Sequence, residues 1–456
     1  MSARVVVLGG GPAGDVAALR AAQLGASSTM IERAEVGGTC LNWGCVPTKA
    51  LLASADVLRT VRNAAEFGVT VGEPKIDFGR MMQRKEDIVL KMRGGVEAAC
   101  KRKKVAVIHG QGVIEGDAVV VDGKRYSFDS LIVAVGTEPV GLPGLDMHHP
   151  AVMTSNDVLR LTAIPKRLVI IGGGIIGCEF ASLFAALGSD ITVVELLPRI
   201  LAAVDAKTTA YFQRIVEKEG VKFLTGRKVA AVDDYRKNGI TIKLDDGTKL
   251  DCDKLLVSVG RTPLTKGIGL EAAGVALDAR GNIVVDEFLQ TANPKIYAIG
   301  DCIGGLQLAH KGSAEGHRAA ENALGHDRMP MDYTVVPSCI YTHPEIAMVG
   351  LNADTAKEAG LETVIGQARF VGSAKALAEG QPDGFAQIIA DKATGRILGA
   401  TIVGAHAVEL IHEVAVAMAD ALTLAELGSI IHAHPTVSEM VMDAAQAGIG
   451  AAPYLS

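Results

Sequence analysis

The chain has 456 residues, which is too long for one ordinary hydrophobic core and predicts a globular protein of several domains. Its formal net charge of −6 is small for this length, so the composition gives no indication of a nucleic-acid partner or an anionic membrane surface. Hydrophobic residues make up 49 % and glycine contributes 52 residues, a balance typical of an α/β protein with many glycine turns.

The pattern of apolar residues and cysteines predicts a soluble cytoplasmic protein without a membrane partner. No uninterrupted apolar stretch reaches the roughly 18 residues that a spanning helix needs, and the opening MSARVVVLGGG lacks a signal-peptide pattern. The 7 cysteines are odd in number and mostly isolated, unlike the disulfide framework of a small secreted protein. In a reducing compartment, a closely spaced cysteine pair indicates catalysis rather than a structural disulfide.

The first 32 residues carry the pattern of a dinucleotide-binding turn. An apolar strand, Val5 to Leu8, runs directly into three glycines spaced as GxGxxG, namely Gly9, Gly11 and Gly14. A helical segment and a second apolar strand follow, and that strand ends at the acidic residue Glu32. Glycines in this context let the backbone approach a pyrophosphate, and the acid accepts a hydrogen bond from a ribose hydroxyl.

The same pattern recurs in the middle of the chain. A strand from Arg167 to Ile171 leads into Gly172, Gly174 and Gly177, and a later strand ends at Glu195. Two such units predict two dinucleotide sites. The alternative is a pair of tight strand-to-helix turns that bind no ligand.

Glu195 also bears on the choice of dinucleotide. An acid at this position pairs with a free ribose 2′-hydroxyl, whereas a 2′-phosphate needs an arginine. Arg199 lies only four residues further on, so the sequence favours NAD over NADP without excluding the phosphorylated form.

Two further apolar segments resemble each other and strengthen the case for a duplicated architecture. Ser130 to Val135 ends at Gly136 in the sequence GTEP, and Lys254 to Val259 ends at Gly260 in the sequence GRTP. We expect both glycines to lie at the nucleotide sites, because the carboxyl ends of parallel strands line the binding crevice of such sheets.

A later strand delivers a carboxylate, Asp301, at a turn after Ile296 to Ile299. This carboxylate could hold a ribityl or ribose hydroxyl, or it could cap a helix or turn. A probable helix follows from His310 to Ala323, and Ala309 stands at its entrance. The N-terminus of this helix could support the anionic edge of a cofactor.

Two cysteines lie five residues apart, Cys40 and Cys45, in the segment GGTCLNWGCVPTK from Gly37 to Lys49. In a regular helix their Cα atoms would lie about 8 to 9 Å apart, beyond the reach of a disulfide. A bridged pair therefore requires a distorted backbone, and strained, accessible disulfides are easily reduced. Two incidental core cysteines are the alternative. No metal site is predicted, because zinc sites usually supply four ligands and no matching second pair occurs.

From Val335 the pattern changes to alternating strands and amphipathic helices without a third glycine fingerprint. Phe385 to Ala390, Ile397 to Val403 and a helix from Ala407 to Ala421 predict an α+β domain.

The last distinctive segment of the chain contains His434 and, five residues later, Glu439. The pair could be a base and its orienting carboxylate. The alternative is a helix capping box in which Glu439 closes onto Thr436.

Together these segments resemble the pyridine nucleotide-disulfide oxidoreductase family, and the match covers essentially the whole chain. It rests on GGGPAG at Gly9 to Gly14, GGTCLNWGCVPTK, GGGIIGCEF at Gly172 to Phe180, YAIGDCIGGLQLAHK at Tyr297 to Lys311, VPSCIYTHPEIAMVG at Val336 to Gly350 and HAHPTVSEM at His432 to Met440. The last two favour the branch that oxidises dihydrolipoamide.

The resemblance implies an α/β fold with two Rossmann-like dinucleotide-binding domains and a C-terminal α+β dimerisation domain. FAD would occupy the first site and NAD the second. The expected division is 1–145 with 265–334 for FAD, 146–264 for NAD and 335–456 for dimerisation. The implied partners are a second copy of the chain and either a small dithiol or the lipoyl domain of a multienzyme complex.

The resemblance also implies a role for each residue around the cysteine pair. Cys40 would exchange with the substrate, and Cys45 would lie next to the flavin. Lys49 and Glu179 would form an ion pair beside the flavin ring, and Asp301 would bind its ribityl portion. Electrons from a substrate dithiol would pass to the disulfide of Cys40 and Cys45, then to the flavin, and finally to NAD⁺.

His434 would act as the acid and base, oriented by Glu439 and placed against the disulfide of the partner subunit. Asp15 departs from the apolar or aromatic residue expected after the first glycine turn, and SAKALAEG at Ser373 to Gly380 is a looser match. The remaining enzyme alternative is an NADH-dependent reductase or diaphorase acting on another acceptor. A redox-sensing or assembly flavoprotein is the alternative from a different class.

Overall fold

The structure is a computed structural model that describes residues 2–237 and 239–452. The elements of its first 160 residues are, in chain order, β1 (Arg4–Leu8), α1 (Pro12–Gln23), β2 (Ser27–Glu32), α2 (Gly38–Trp43), α3 (Cys45–Arg62), α4 (Phe78–Arg102), β3 (Ala106–His109), β4 (Val113–Glu115), β5 (Ala118–Val121), β6 (Lys124–Ser127), β7 (Ser130–Val133), β8 (Thr137–Pro139), β9 (Val152–Met153) and α5 (Ser155–Val158).

The middle of the chain contains β10 (Arg167–Ile171), α6 (Ile175–Ala186), β11 (Asp190–Glu195), α7 (Ala206–Lys218), β12 (Lys222–Thr225), β13 (Val229–Arg236), β14 (Gly239–Leu244), β15 (Lys249–Cys252), β16 (Lys254–Val257), β17 (Arg261–Pro263), β18 (Ile296–Ala298) and α8 (Ala309–Ala323). The last part contains β19 (Ser338–Ile340), β20 (Ile346–Gly350), α9 (Ala353–Glu358), β21 (Thr363–Arg369), α10 (Ala374–Ala378), β22 (Phe385–Asp391), β23 (Ile397–Val403), α11 (Ala407–Ala419), α12 (Leu424–Ser429) and α13 (Glu439–Gly448). Short 3₁₀ helices occur at Ala64–Phe67, Gly300–Ile303 and Phe370–Gly372.

Two five-stranded parallel sheets share four strands in the same order, which confirms the predicted duplication. The first sheet runs β18-β7-β1-β2-β3, and the second runs β9-β16-β10-β11-β12; only the edge strands differ, because β18 follows the other four strands in the chain and β9 precedes them. A three-stranded antiparallel sheet occupies the same place in both units, with β4 to β6 between β3 and β7 and β13 to β15 between β12 and β16. After their first residue, β1 and β10 are buried throughout, as expected for parallel strands covered on both faces.

The two nucleotide-binding units meet through a small two-stranded sheet. Its strands are β8 and β17, which pair antiparallel with Arg261 opposite Pro139. The two strands belong to the similar segments GTEP and GRTP. Each therefore leaves the carboxyl end of its own parallel sheet and pairs with its counterpart.

Helix α8 packs tightly on α1, and glycines make this approach possible. A Cβ on Gly316 would lie 2.4 Å from the Ala13 carbonyl oxygen, and one on Gly312 would lie 3.1 Å from Ala13 Cβ. The entrance of α8, at Ala309, is thereby held beside the first glycine turn.

The C-terminal part is an α+β unit, as predicted. Its antiparallel sheet has the order β19-β20-β23-β22-β21, and β22 and β23 are buried along almost their whole length. Helices α11 and α13 pack on this sheet. The predicted fold class, two dinucleotide-binding units and a C-terminal α+β unit, is confirmed. Within the described ranges, no helix has the length and apolarity needed to cross a bilayer.

Candidate active site

Each glycine of the first turn has a different steric reason to be glycine. Gly9 has φ +109°, and a Cβ there would lie 2.2 Å from the Ala134 carbonyl oxygen. A Cβ on Gly14 would lie 1.9 Å from the Gly9 carbonyl oxygen, where α1 packs against the strand. At Gly11 the nearest atom to such a Cβ is Gly38 Cα, at 3.9 Å. The middle glycine thus leaves an open surface for a pyrophosphate, while the outer two form the turn.

The second turn repeats this arrangement almost atom for atom. A Cβ on Gly172 would lie 2.3 Å from the Ser258 carbonyl oxygen, and one on Gly177 would lie 2.0 Å from the Gly172 carbonyl oxygen. Gly174 has no atom within 4 Å of such a Cβ. Both turns therefore fit a dinucleotide.

The two acids bind the backbone of their own turns in the same way. Glu32 accepts from Gly10 N–H at 2.7 Å and from Ala34 N–H at 2.8 Å, one bond to each oxygen. Glu195 accepts from Gly173 N–H at 2.6 Å and, through its other oxygen, from the next loop at 2.7 Å. Each oxygen keeps a second lone pair, so either acid can also accept from a ribose hydroxyl.

A matched pair of alanine substitutions is expected to separate folding from dinucleotide binding. Gly14→Ala forces a backbone shift and should lower the free energy of unfolding by about 3 kcal/mol. Gly11→Ala, at the N-cap of α1, should cost about 1 kcal/mol or less when the dinucleotide-free proteins are compared, and it should still abolish retention of the bound dinucleotide. Chemical denaturation and the visible absorbance of the purified protein check the two effects. Equal losses of stability in both variants would contradict this assignment of the glycines.

One cavity of about 2170 Å³ joins the two turns and the cysteine pair. This volume is about twice that of a large single-ligand pocket. The predicted site residues that line it are Gly9, Gly11, Glu32, Cys40, Cys45, Lys49, Gly136, Gly172, Gly174, Glu179, Glu195, Gly260, Asp301 and Ala309. The remaining two glycines, Gly14 and Gly177, lie behind the turns in helix packing. The structure thus brings most of the predicted site together.

The helical backbone is interrupted between the two cysteines, the distortion that a bridged pair at this spacing would require. Helix α2 ends at Trp43 and α3 begins at Cys45, so Gly44 alone separates the two helices. A Cβ on Gly44 would lie 3.0 Å from the Thr39 carbonyl oxygen and 3.3 Å from Cys40 Cα. Both cysteines are free thiols in this structure. The short turn brings their side chains close enough for each thiol to shift the pKa of the other.

The two thiols differ in acidity. The hydrogen bond from Cys40 lowers the pKa of Cys45 to about 7, against the effect of burial and with the help of the Lys49 charge. The same hydrogen bond, together with burial, raises the pKa of Cys40. In the reduced pair the thiolate is therefore centred on Cys45, while Cys40 holds the proton.

Alkylation of the reduced protein by iodoacetamide is expected to follow this order. The rate at Cys45 should rise about tenfold per pH unit below pH 7 and level off above it, because the thiolate is the nucleophile. Lys49→Met should move the midpoint of the curve of alkylation rate against pH to higher pH, since it removes a cation that favours the Cys45 thiolate. Mass spectrometry of the labelled peptides, with Cys45→Ser as the control, gives the measurement. A midpoint near the ordinary thiol value of about 8.5 would contradict the assignment.

Lys49 is fixed above the cavity by a nearly buried carboxylate. Its Nζ contacts both oxygens of Glu179, at 2.8 and 2.9 Å, and Glu179 is 5 % exposed. Tyr341 N–H donates to the same carboxylate at 3.0 Å, and Lys49 lies 4.3 Å from the centre of the Tyr341 ring. The pair predicted from sequence is present, and Tyr341 ties it to the C-terminal sheet.

Asp301 points its carboxylate into a polar cluster rather than capping a helix. Thr137 Oγ1 donates to Asp301 at 3.1 Å, and Arg261 donates to the Thr137 side chain and carbonyl, each at 2.8 Å. Gly136 and Gly260 precede Thr137 and Arg261 and line the same cavity. Through Thr137 of β8 and Arg261 of β17, the two nucleotide-binding units therefore meet beside the Asp301 carboxylate.

A buried network fixes the turn that carries Asp301. Glu315 is fully buried on α8 and accepts from Gly300 N–H at 2.7 Å and from the Tyr333 hydroxyl at 2.6 Å. Lys311 Nζ completes the network at 2.9 Å from Glu315. Burial and the hydrogen bond to Glu315 raise the pKa of Tyr333, so the Tyr333 hydroxyl keeps its proton and remains a donor.

His434 and Glu439 form a pair at the surface, away from the cavity of the same chain. His434 Nδ1 lies 2.9 Å from Glu439 Oε1, and the His434 side chain is 72 % exposed. The other oxygen of Glu439, Oε2, accepts from Thr436 N–H at 2.8 Å. This is one of the two hydrogen bonds of the capping box that the sequence offered as an alternative. Burial opposes ionisation of Glu439, but the Thr436 and His434 bonds outweigh it and lower its pKa.

Sequence reasoning did not single out four residues that organise the site, namely Thr137, Arg261, Glu315 and Tyr341. The repeated GTEP and GRTP segments contained a signal for the first two. Glu315 and Tyr341 gave none, because a single acid in a helix or a tyrosine just after a strand is common in any fold. In the described ranges, no group of three or more His, Cys, Asp or Glu side chains is arranged to hold a metal ion.

The sequence matches two models of one protein family. Residues 3–316 match "Pyridine nucleotide-disulphide oxidoreductase", and residues 336–445 match its dimerisation domain. A protein of Bacillus subtilis named dihydrolipoyl dehydrogenase is 41 % identical, with 98 % of each chain covered. One of the same name from Chlamydia muridarum is 41 % identical, with 96 % of this chain and 95 % of the relative covered.

Solved structures agree with this match. LpdA from Mycobacterium tuberculosis superposes with a TM-score of 0.91 at 29 % identity, covering 97 % of this chain and 99 % of the other. The HOCl-induced flavoprotein disulfide reductase RclA from Escherichia coli gives 0.89 at 29 % identity, covering 97 % and 99 %. The two glycine turns, the cysteine pair between them and these relatives identify the chain as a member of the pyridine nucleotide-disulphide oxidoreductase family.

Proposed function

We propose that the protein oxidises dihydrolipoamide, free or on a lipoyl domain, to lipoamide and reduces NAD⁺. The observation that carries the proposal is the Cys40 and Cys45 dithiol in one cavity with two dinucleotide turns. The name of the relatives from B. subtilis and C. muridarum supports the choice of dithiol. The family implies FAD and NAD as the two cofactors.

The chain's own residues fit these cofactors. The first turn would hold FAD, with Gly11 under the pyrophosphate, Glu32 at the ribose and Asp301 at the ribityl hydroxyls. The second turn would hold NAD, with Gly174 and Glu195 in the corresponding positions. When bound, FAD would supply a two-electron acceptor for the dithiol, and NAD⁺ would supply the final acceptor of hydride.

The cysteines perform thiol–disulfide exchange on the substrate. In the oxidised protein, a substrate thiolate attacks the Cys40 sulfur, which forms a mixed disulfide and releases the Cys45 thiolate. The second substrate thiolate then attacks the substrate sulfur of that mixed disulfide, so lipoamide leaves and Cys40 becomes a thiol. The low pKa of Cys45 makes it the better leaving group, and Lys49 stabilises its charge.

His434 takes the protons that the substrate thiols lose, and Glu439 orients its ring. Because His434 is exposed and does not line the cavity of its own chain, we propose that it serves the cysteine pair of a second copy. The dimerisation-domain match supports a homodimer.

We further propose the domain division 1–145 with 265–334, 146–264 and 335–456. The separate sheets support it, although residues 453–456 lie outside the described part of the chain. A cytoplasmic location is also proposed and rests on the absence of a secreted disulfide pattern among the 7 cysteines.

A steady-state comparison tests the function directly. Dihydrolipoamide, glutathione and coenzyme A are offered as thiols, each with NAD⁺ and with NADP⁺. We expect turnover with dihydrolipoamide and NAD⁺ to exceed every other combination by at least about 10²-fold. A yellow protein that reduces only dyes or quinones, even at high dihydrolipoamide, would overturn the proposal.

A further inference from the structure

Arg199 lies in the loop after Glu195 but outside the nucleotide cavity. Its guanidinium donates from Nη1 to Asp354 Oδ2 at 3.0 Å and from Nη2 to the Ala202 carbonyl oxygen at 3.2 Å. Leu197, in the same loop, lines the cavity, whereas Arg199 does not. Arg199, the cation that follows Glu195 in sequence, is therefore bound to Asp354 and Ala202 and does not line the cavity.

Asp354 is itself fixed from two directions. It lies in the first turn of α9, and its Oδ2 also accepts from Ala206 N–H at 2.9 Å. That bond and the guanidinium lower the pKa of Asp354, so the carboxylate is charged at neutral pH. The neighbouring Asn352 donates to the Ala203 carbonyl oxygen at 3.1 Å. The beginning of α9 thus binds both the loop backbone and the arginine.

The exposure of the pair sets the size of its effect. Arg199 is 35 % exposed and Asp354 is 39 % exposed, so the charge pair alone would bias the arginine only about fivefold. The additional bonds to Ala202 and Ala206 fix both ends of the pair.

We propose that Asp354 sets coenzyme specificity by holding Arg199 away from the position of an adenosine 2′-phosphate. This inference rests on the proposed use of NAD and deepens it. A 2′-phosphate needs an arginine, and the apparent affinity for such a ligand falls with the fraction of time that the arginine is available. With Arg199 held, a 2′-phosphate meets the Glu195 carboxylate, whose charge repels it.

The other cations near the second site are the same in every variant compared below, so they do not account for a difference between those variants. Arg227 lines the cavity, but its Nε lies 3.0 Å from Asp246 Oδ2. Lys228 also lines the cavity and, as a compact point charge, lacks the planar fork that binds phosphate through two parallel hydrogen bonds.

The test uses ligands that differ only in the 2′-phosphate. Asp354→Asn removes the charge and keeps an oxygen for Ala206 N–H. Its affinity for 2′,5′-ADP, relative to 5′-AMP, is expected to rise by up to about fivefold by calorimetry, the factor that the charge pair supplies. The ratio of kcat/KM for NADP⁺ to that for NAD⁺ should rise by the same factor. Asp354→Asn combined with Arg199→Ala should return both ratios to the parental values.

Two control variants complete the experiment. Asn352→Ser keeps an oxygen to cap the beginning of α9 but removes the bond to the Ala203 carbonyl oxygen, so the Arg199 pair remains and both ratios should stay unchanged. Arg199→Ala alone should leave 2′,5′-ADP affinity unchanged, because the arginine is already withheld.

The proposal is overturned if Asp354→Asn leaves the 2′,5′-ADP affinity unchanged, or if the gain persists without Arg199. It is also overturned if Arg199→Ala alone lowers that affinity fivefold, a result obtainable even if Asp354→Asn does not fold. Binding of these nucleotides needs no thiol substrate. A protein that shows the predicted gain but does not oxidise dihydrolipoamide would therefore refute the proposed function and leave this inference standing.

Discussion

Cys40→Ser is expected to lower NAD⁺-linked oxidation of dihydrolipoamide by about 10⁴-fold or more. A serine oxygen cannot form the mixed disulfide with substrate, and Cys45 alone cannot form the internal disulfide that accepts the substrate's electron pair. NADH formation under steady-state conditions measures the loss. Transfer from NADH to an artificial dye should persist, since it needs both nucleotide sites but not the cysteine pair.

Cys339→Ser provides the matched control for loss of a thiol. Cys339 lines the same cavity, and burial raises its pKa to about 11, so its thiol stays protonated and unreactive at neutral pH. We expect its substitution to change the rate by less than about threefold. Retention of more than about one hundredth of the parental rate by Cys40→Ser would contradict the exchange role of Cys40.

His434→Ala is expected to slow dihydrolipoamide oxidation by about 10²- to 10⁴-fold, because the substrate thiols lose their general base. Glu439→Ala should have a smaller effect in the same direction, since it leaves the imidazole in place but free to rotate. An unchanged rate in Glu439→Ala would remove its orienting role. The decisive question is which cysteine pair the histidine serves.

Mixed dimers answer that question. A heterodimer of a Cys40→Ser chain with a His434→Ala chain, purified through two different tags, would contain one intact site if the base comes from the partner. Its rate should then reach about half of the parental value, although each variant alone is nearly inactive. If both groups acted within one chain, neither site would be intact and the heterodimer would be inactive.

The parts of the fold that depend on local pattern could be predicted from the sequence. Three glycines force a turn, an apolar run forms a buried strand, and an acid at the end of the next strand binds back to the turn. These effects act within about 30 residues, so the two fingerprints located both turns and both acids. The predicted strand Arg167 to Ile171 matches the structure, and the helix predicted from His310 begins one residue earlier.

Long-range contacts could not be predicted in this way. The sequence contains the GTEP and GRTP segments, but their pairing as β8 and β17 requires two sheets to face each other. Glu315 looked like an ordinary helical acid until burial placed it under Gly300 N–H. In the sequence, Arg199 left binding of NADP open, and only the packing of α9 on its loop shows that Asp354 holds the cation.

By itself, the sequence determined the two dinucleotide turns, the redox cysteine pair and the candidate base, because each depends on residue type and short spacing. The tertiary structure alone decided which of these groups share a cavity and which charges are free to act there. It unites Cys45, Lys49 and Glu179 with both turns and leaves His434 outside, since packing joins residues that are more than 100 positions apart. The same packing determines whether an arginine near Glu195 can reach a ligand.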